Sequence, residues 1–123
     1  MIGYVTIGTT DMEKAKEFWS KLLEPLGAKI LMDIERIAFI GASMDQPMVA
    51  VCQPFDGNPP ASGNGNMLAF PAESPEQVDE LYARAIELGA SDEGAPGERI
   101  PGVFYGGYFR DFDGNKAVFF KMG

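Results

Sequence analysis

The chain has 123 residues, 46% hydrophobic and 23% charged, the composition of a folded globular domain and not of a disordered segment. Ten Lys and Arg against 18 Asp and Glu leave a net charge of −8, which repels phosphate backbones and anionic lipid, so neither nucleic acid nor a membrane is expected as a partner. Histidine is absent and Cys52 is the single cysteine, which excludes His-dependent nucleophilic catalysis, imidazole or thiolate zinc sites and an internal disulfide, and makes a cytoplasmic location the expectation.

Ile2 to Gly8 is apolar and β-branched and reads as a strand. A helix is expected near 10–24, with Thr10 as N-cap and Glu13 completing a capping box. Met12, Ala15, Phe18, Trp19, Leu22 and Leu23 give it one apolar face, and Pro25 and Gly27 stop it. Residues 28–33, 36–41 and 47–53 read as three short strands. Residues 54–66 are dense in Pro, Gly, Asn and Ser and read as a linker. The run 66–71 is again a strand. A second helix is expected over 75–88, with Ser74 as N-cap, Pro75 at the first helical position and Gln77 closing the box. Its apolar face is Val78, Leu81, Tyr82, Ala85 and Leu88. Residues 94–102 read as a loop, and 103–110 and 116–122 as strands. The turn between them is Asp111-Phe-Asp-Gly-Asn115. Its acidic spacing superficially suits calcium, but Asp and Asn side chains bonding their own backbone explain it better. No apolar run is long enough to span a bilayer, and the first residues lack the pattern of a secretion signal.

The order is therefore strand-helix-strand-strand-strand, stated twice across about sixty residues each. The expected fold class is α+β. Two βαβββ modules, residues 1–53 and 67–123 joined by 54–66, would form a curved mixed sheet around a central cavity. One helix can cover only one face of each small sheet, which leaves the other face for that cavity.

In this order the pieces resemble the glyoxalase/bleomycin-resistance/extradiol-dioxygenase superfamily, the vicinal oxygen chelate proteins. The resemblance is carried by Tyr4-Val-Thr-Ile-Gly8 with Asp11-Met-Glu-Lys-Ala-Lys-Glu-Phe-Trp19, and by Met67-Leu-Ala-Phe70 with Ser74-Pro-Glu-Gln-Val-Asp79. Tyr105-Gly-Gly-Tyr-Phe-Arg-Asp-Phe-Asp-Gly-Asn115 is the most specific piece. The resemblance implies a cavity in which metal-dependent members hold a divalent ion. It places the ligand positions of those members at Tyr4, Met67 and Val118. A phenol, a thioether and an alkyl chain are poor or impossible ligands for such an ion. No metal, no other cofactor and no metal-dependent lyase or dioxygenase activity is therefore expected.

The same geometry turns Tyr4, Met67, Val118 and Phe120 toward the cavity. Phe39, Cys52, Tyr105 and Tyr108 are candidates for its walls. Such a lining suits a small, mainly apolar or aromatic molecule, a cationic one included given the net charge. The leading expectation is a metal-free binding protein of the bleomycin-resistance kind. The alternatives are a glyoxalase-type lyase or isomerase with a non-standard site, for which Asp33, Glu35 or Asp45 would have to turn inward, and an inactive accessory module that serves through association; the bland reading of the same lining is a cavity filled as a second core. A homodimer is expected from the resemblance.

Overall fold

The computed structural model describes all of residues 1–123. The elements run β1 (Tyr4–Gly8), α1 (Met12–Leu23), β2 (Lys29–Ile34), β3 (Ile37–Gly41) and β4 (Met48–Cys52), then β5 (Leu68–Pro71), α2 (Pro75–Glu87), β6 (Ser91–Ile100), β7 (Phe104–Arg110) and β8 (Lys116–Met122). The chain divides into two compact units, Met1–Ala61 and Ser62–Gly123. Each is a βαβββ module with one four-stranded sheet. The strand orders are β1-β4-β3-β2 and β5-β8-β7-β6. In both, the first strand runs parallel to the last while the other pairs are antiparallel. The α+β class and the two similar modules thus follow the sequence repeat.

In the first unit α1 packs on β2, β3 and β4. Its Ala15, Phe18, Trp19, Leu22 and Leu23 are buried, as are Ala38, Ile40, Val49 and Val51 of the sheet. Trp19 has no exposed surface and meets Phe18 edge to face, with 5.1 Å between ring centroids. The helix starts one residue later than its expected cap. Asp11, not Thr10, is the N-cap, and its carboxylate accepts the Lys14 amide at 3.1 Å. Thr9 takes over the preceding turn, its hydroxyl accepting the Asp11 amide and donating to the Asp11 carbonyl. A carboxylate also opposes the positive end of the helix, which a threonine cannot do.

In the second unit α2 packs on β6, β7 and β8, burying Val78, Leu81 and Ala85. Ser74 caps it as expected, accepting the Gln77 amide at 3.1 Å, while Gln77 reaches back to the Glu73 amide at 2.7 Å. The core beneath is aromatic. The Phe119 ring lies 5.4 Å from Phe109 and 5.5 Å from Phe70. Two tyrosines bolt the sheet to the helix: Tyr82 donates to Asp92 and Tyr105 to Asp79, both at 2.6 Å. The 111–115 segment is the expected self-bonded turn. The Asp111 carboxylate accepts the amides of Asp113 and Asn115 at 3.0 and 2.8 Å, and Gly114 takes the left-handed φ of 89° that the turn requires.

One expectation is corrected. Residues 94–100, read as loop, continue β6. Gly94, Pro96 and Gly97 signal a loop in a central strand, but β6 is the terminal strand of its sheet, where Pro needs no ladder partner. Register shifts between Asp92 and Gly94, Gly94 and Gly97, and Glu98 and Ile100 absorb the irregular residues.

Three outcomes are expected. Phe109→Ala should lower unfolding free energy by about 3–5 kcal/mol, and Ser74→Ala by about 1 kcal/mol, both read by denaturant titration. Burial and then the Asp92 hydrogen bond push the Tyr82 hydroxyl up to about 12, against about 10 in the unfolded chain. The folded state therefore favours the protonated phenol. That stability is fully present below about pH 10 and is lost as pH rises toward about 12. Tyr82→Phe should flatten the alkaline fall in Tm across that window, and an unchanged slope would contradict this account.

Candidate functional site

Each sheet has one face under its helix and one without a helix. Strand alternation and pairing register assign the side chains to these faces. In the first unit Tyr4 pairs with Met48, Thr6 with Ala50, and Phe39 with Ala50 and Met32. These residues stand opposite Val49, Val51, Ala38 and Ile40, which lie under α1. Tyr4 is 51% exposed, and its ring meets Phe39 edge-on at 4.9 Å. Cys52 pairs with Ile37 on the same helix-free face. Burial pushes its thiol up, with Arg36 pulling weakly the other way. Such a thiol stays protonated at neutral pH and makes a poor nucleophile.

In the second unit Val118 lies between Ala69 and Tyr108, and Phe120 between Pro71 and Gly106. This row faces away from α2. Met67 directly precedes β5 and alternates with Leu68 onto the same side, 44% exposed. Phe104 stacks on Phe120 at 5.4 Å and 6°. That stack depends on Gly106, where a Cβ would fall 2.8 Å from Phe104 Cε1 and 3.2 Å from Val118 Cγ2. Arg99 and Lys116 both approach the Tyr108 ring, at 5.3 and 5.5 Å from its centroid.

The sequence-derived candidates therefore separate. Tyr4, Phe39 and Cys52 share the helix-free face of the first sheet. Met67, Tyr108, Val118 and Phe120 share that of the second. Tyr105 stands on the opposite side of its strand, under α2, with its hydroxyl committed to Asp79. The three-residue step from Tyr105 to Tyr108 already carried this information, since an odd step along a regular strand reverses the face. The same rule would have found Phe104, four residues before Tyr108. Arg99 carried no such signal, because it lies in the segment read as a loop.

The positions that the resemblance gives to metal ligands hold Tyr4, Met67 and Val118, whose donors do not fit a divalent ion. No group of three or more His, Cys, Asp or Glu side chains comes together elsewhere. Of the three carboxylates that an unconventional site would need, two are engaged otherwise and one stands in the turn after β2. Asp33 pairs with Lys16 of α1 at 2.9 Å, Asp45 accepts the Ser43 hydroxyl in its turn, and Glu35 sits at φ 47° between β2 and β3. No helix is long and apolar enough to cross a membrane.

A family model described as the Glyoxalase/Bleomycin resistance protein/Dioxygenase superfamily matches residues 1–119. The chain is similar to a glyoxalase/bleomycin resistance protein from Albidiferax ferrireducens T118, at 33% identity and a TM-score of 0.89, covering 100% of this chain and 99% of that one. It shares its fold with a glyoxalase/bleomycin resistance protein/dioxygenase family enzyme from Burkholderia phytofirmans PsJN, at 19% identity, a TM-score of 0.80 and 98% coverage of each chain. The same holds for the hypothetical protein SA1046 of S. aureus, at 22% identity and a TM-score of 0.77, covering 98% of this chain and 92% of that one. No curated protein matches. With the repeat, the paired sheets and the match along nearly its whole length, the chain belongs to the glyoxalase/bleomycin resistance protein/dioxygenase superfamily.

Proposed function

We propose that this chain is a binding protein without a metal, taking a small, mainly apolar or aromatic molecule on the helix-free side of its sheets. One observation carries the reading. Tyr4, Met67 and Val118 stand at the positions that the resemblance gives to metal ligands, with Phe39 against Tyr4 in the first unit and Phe104, Phe120 and Tyr108 on the face of Val118 in the second. Apolar area with a few phenol hydroxyls is what an uncharged or aromatic body needs. It offers no general base, no activated nucleophile and no converging carboxylates. The name of the Albidiferax relative, which includes bleomycin resistance, is compatible with binding without chemistry.

A homodimer belongs to the same proposal. It is supported by β2, a terminal strand of its sheet, where Met32 and Ile34, on one face, are 38% and 54% exposed. Exposed apolar groups in a row mark an association surface. A cytoplasmic location is supported by the unpaired thiol of Cys52.

The test is a thermal-shift titration. Apolar aromatic compounds should raise Tm, by an amount equivalent to about 2.7 kcal/mol when present at 100 times Kd. Phe120→Ala should weaken that response, while zinc, nickel, manganese and EDTA should leave Tm unchanged. Stoichiometric metal that survives purification and stabilises the fold would overturn the metal-free part. For the dimer, sedimentation should give twice the chain mass at micromolar concentration, and Ile34→Lys should shift it toward the monomer.

A further inference from the structure

The four tyrosines of the chain fall into two kinds. Tyr82, on α2, and Tyr105, beneath that helix, each donate to an aspartate at 2.6 Å. Tyr4 and Tyr108, on helix-free faces, have no hydrogen-bond partner within the chain. Tyr108 also has unusual neighbours. Arg99 reaches its ring from β6 and Lys116 from β8, so two cations converge on one aromatic ring. Neither forms an ion pair. Lys16, Lys21 and Arg110, by contrast, each pair with a carboxylate. Arg99 spends one N–H on the Ala95 carbonyl at 2.6 Å. Asp92 feels its charge, but that carboxylate already accepts the Tyr82 hydroxyl and the Gly94 amide. The adjacent Arg110 is neutralised by Glu93 and donates to the Gly114 carbonyl. A protein of net charge −8 thus carries, on one face of one sheet, two uncompensated cations and an unpartnered phenol, next to the Phe104–Phe120 stack and Met67.

From this placement we infer that the ligand of the second sheet is an organic anion. Its carboxylate, sulfonate or phosphonate group sits between Arg99 and Lys116 and accepts the Tyr108 hydroxyl, while its apolar body lies along Val118, Phe120 and Phe104. The inference rests on the binding role proposed above and names the ligand class of that site. The overall charge points toward cations, but a ligand meets the local field. An anion there gains charge-assisted hydrogen bonds in a partly apolar setting. The register runs Tyr108–Val118, then Gly106–Phe120, then Phe104–Met122. The charged and apolar ends of the ligand are therefore met in sequence along β7 and β8.

The experiment compares two fluorescent probes with nearly the same aromatic body, 8-anilinonaphthalene-1-sulfonate and the uncharged N-phenyl-1-naphthylamine. The sulfonate should bind the unmodified protein about tenfold more tightly. The double substitution Arg99→Gln with Lys116→Gln should remove that advantage and leave the neutral probe unchanged. Tyr108→Phe should weaken the sulfonate alone, by a smaller factor, and near-UV circular dichroism checks that each variant keeps its native packing. Equal affinity for both probes, or sulfonate binding that survives the double substitution, overturns the anion assignment while leaving the apolar binding role standing. Failure of both probes to bind the unmodified protein overturns the binding role and the anion assignment together.

Discussion

A small sheet has two faces, and each unit of this chain has a single helix to cover one of them. The rest of the structure follows from that shortage. Under α1 and α2 the sheets carry small or flat residues, Ala38, Val51, Ala117 and Phe119, all without exposed surface. On the helix-free side the strands do not turn fully polar. They carry Tyr4, Met32, Met67 and Phe104 instead. A face of this kind is costly to leave in water. The metal-dependent relatives are expected to furnish such positions with ligands. This chain furnishes them with rings, thioethers and alkyl groups, and the proposed binding role rests on that exchange.

The division of polar work between the two sides supports this view. On the α2 side every carboxylate with a role is a tether: Asp79 and Asp92 hold tyrosine hydroxyls, and Glu98 accepts the Gly102 amide at 2.7 Å. On the other side the uncompensated groups are basic. The acidic residues that dominate the charge total therefore say little about what a ligand encounters. Composition sums over the whole surface, whereas recognition samples one face of one sheet.

Much of the fold was legible in the sequence because two periodicities repeat. The helical spacing of Ala15, Phe18, Trp19 and Leu22, and the Ser74-Pro75-Gln77 signature, each specify an element by local physics alone. The exact start of α1 was less legible, since Thr9, Thr10 and Asp11 are all good caps and only the geometry of the preceding turn selects Asp11. β6 was hidden because glycine and proline argue against a strand until the strand is known to be terminal, which is a property of the sheet and not of the segment. The sheet face on which each candidate residue stands was half legible. Tyr4, Met67, Val118 and Phe120 could be placed by resemblance and alternation. Tyr105 could have been separated from Tyr108 by counting. The meeting of Arg99 and Lys116 at one ring could not be foreseen, because it joins two strands that are not neighbours through the one that lies between them.

β6 itself has a further consequence. A sheet that ends in a long, regular strand exposes a row of amides and carbonyls on which another chain can grow. Here the terminal strand is broken by three changes of register and by a proline that offers no amide proton. A passing strand finds no uninterrupted ladder to extend. The defects that disguise β6 in the sequence thus make it a protective selvedge, and regularising Gly94, Pro96 and Gly97 for better pairing would leave the fold open to polymerisation.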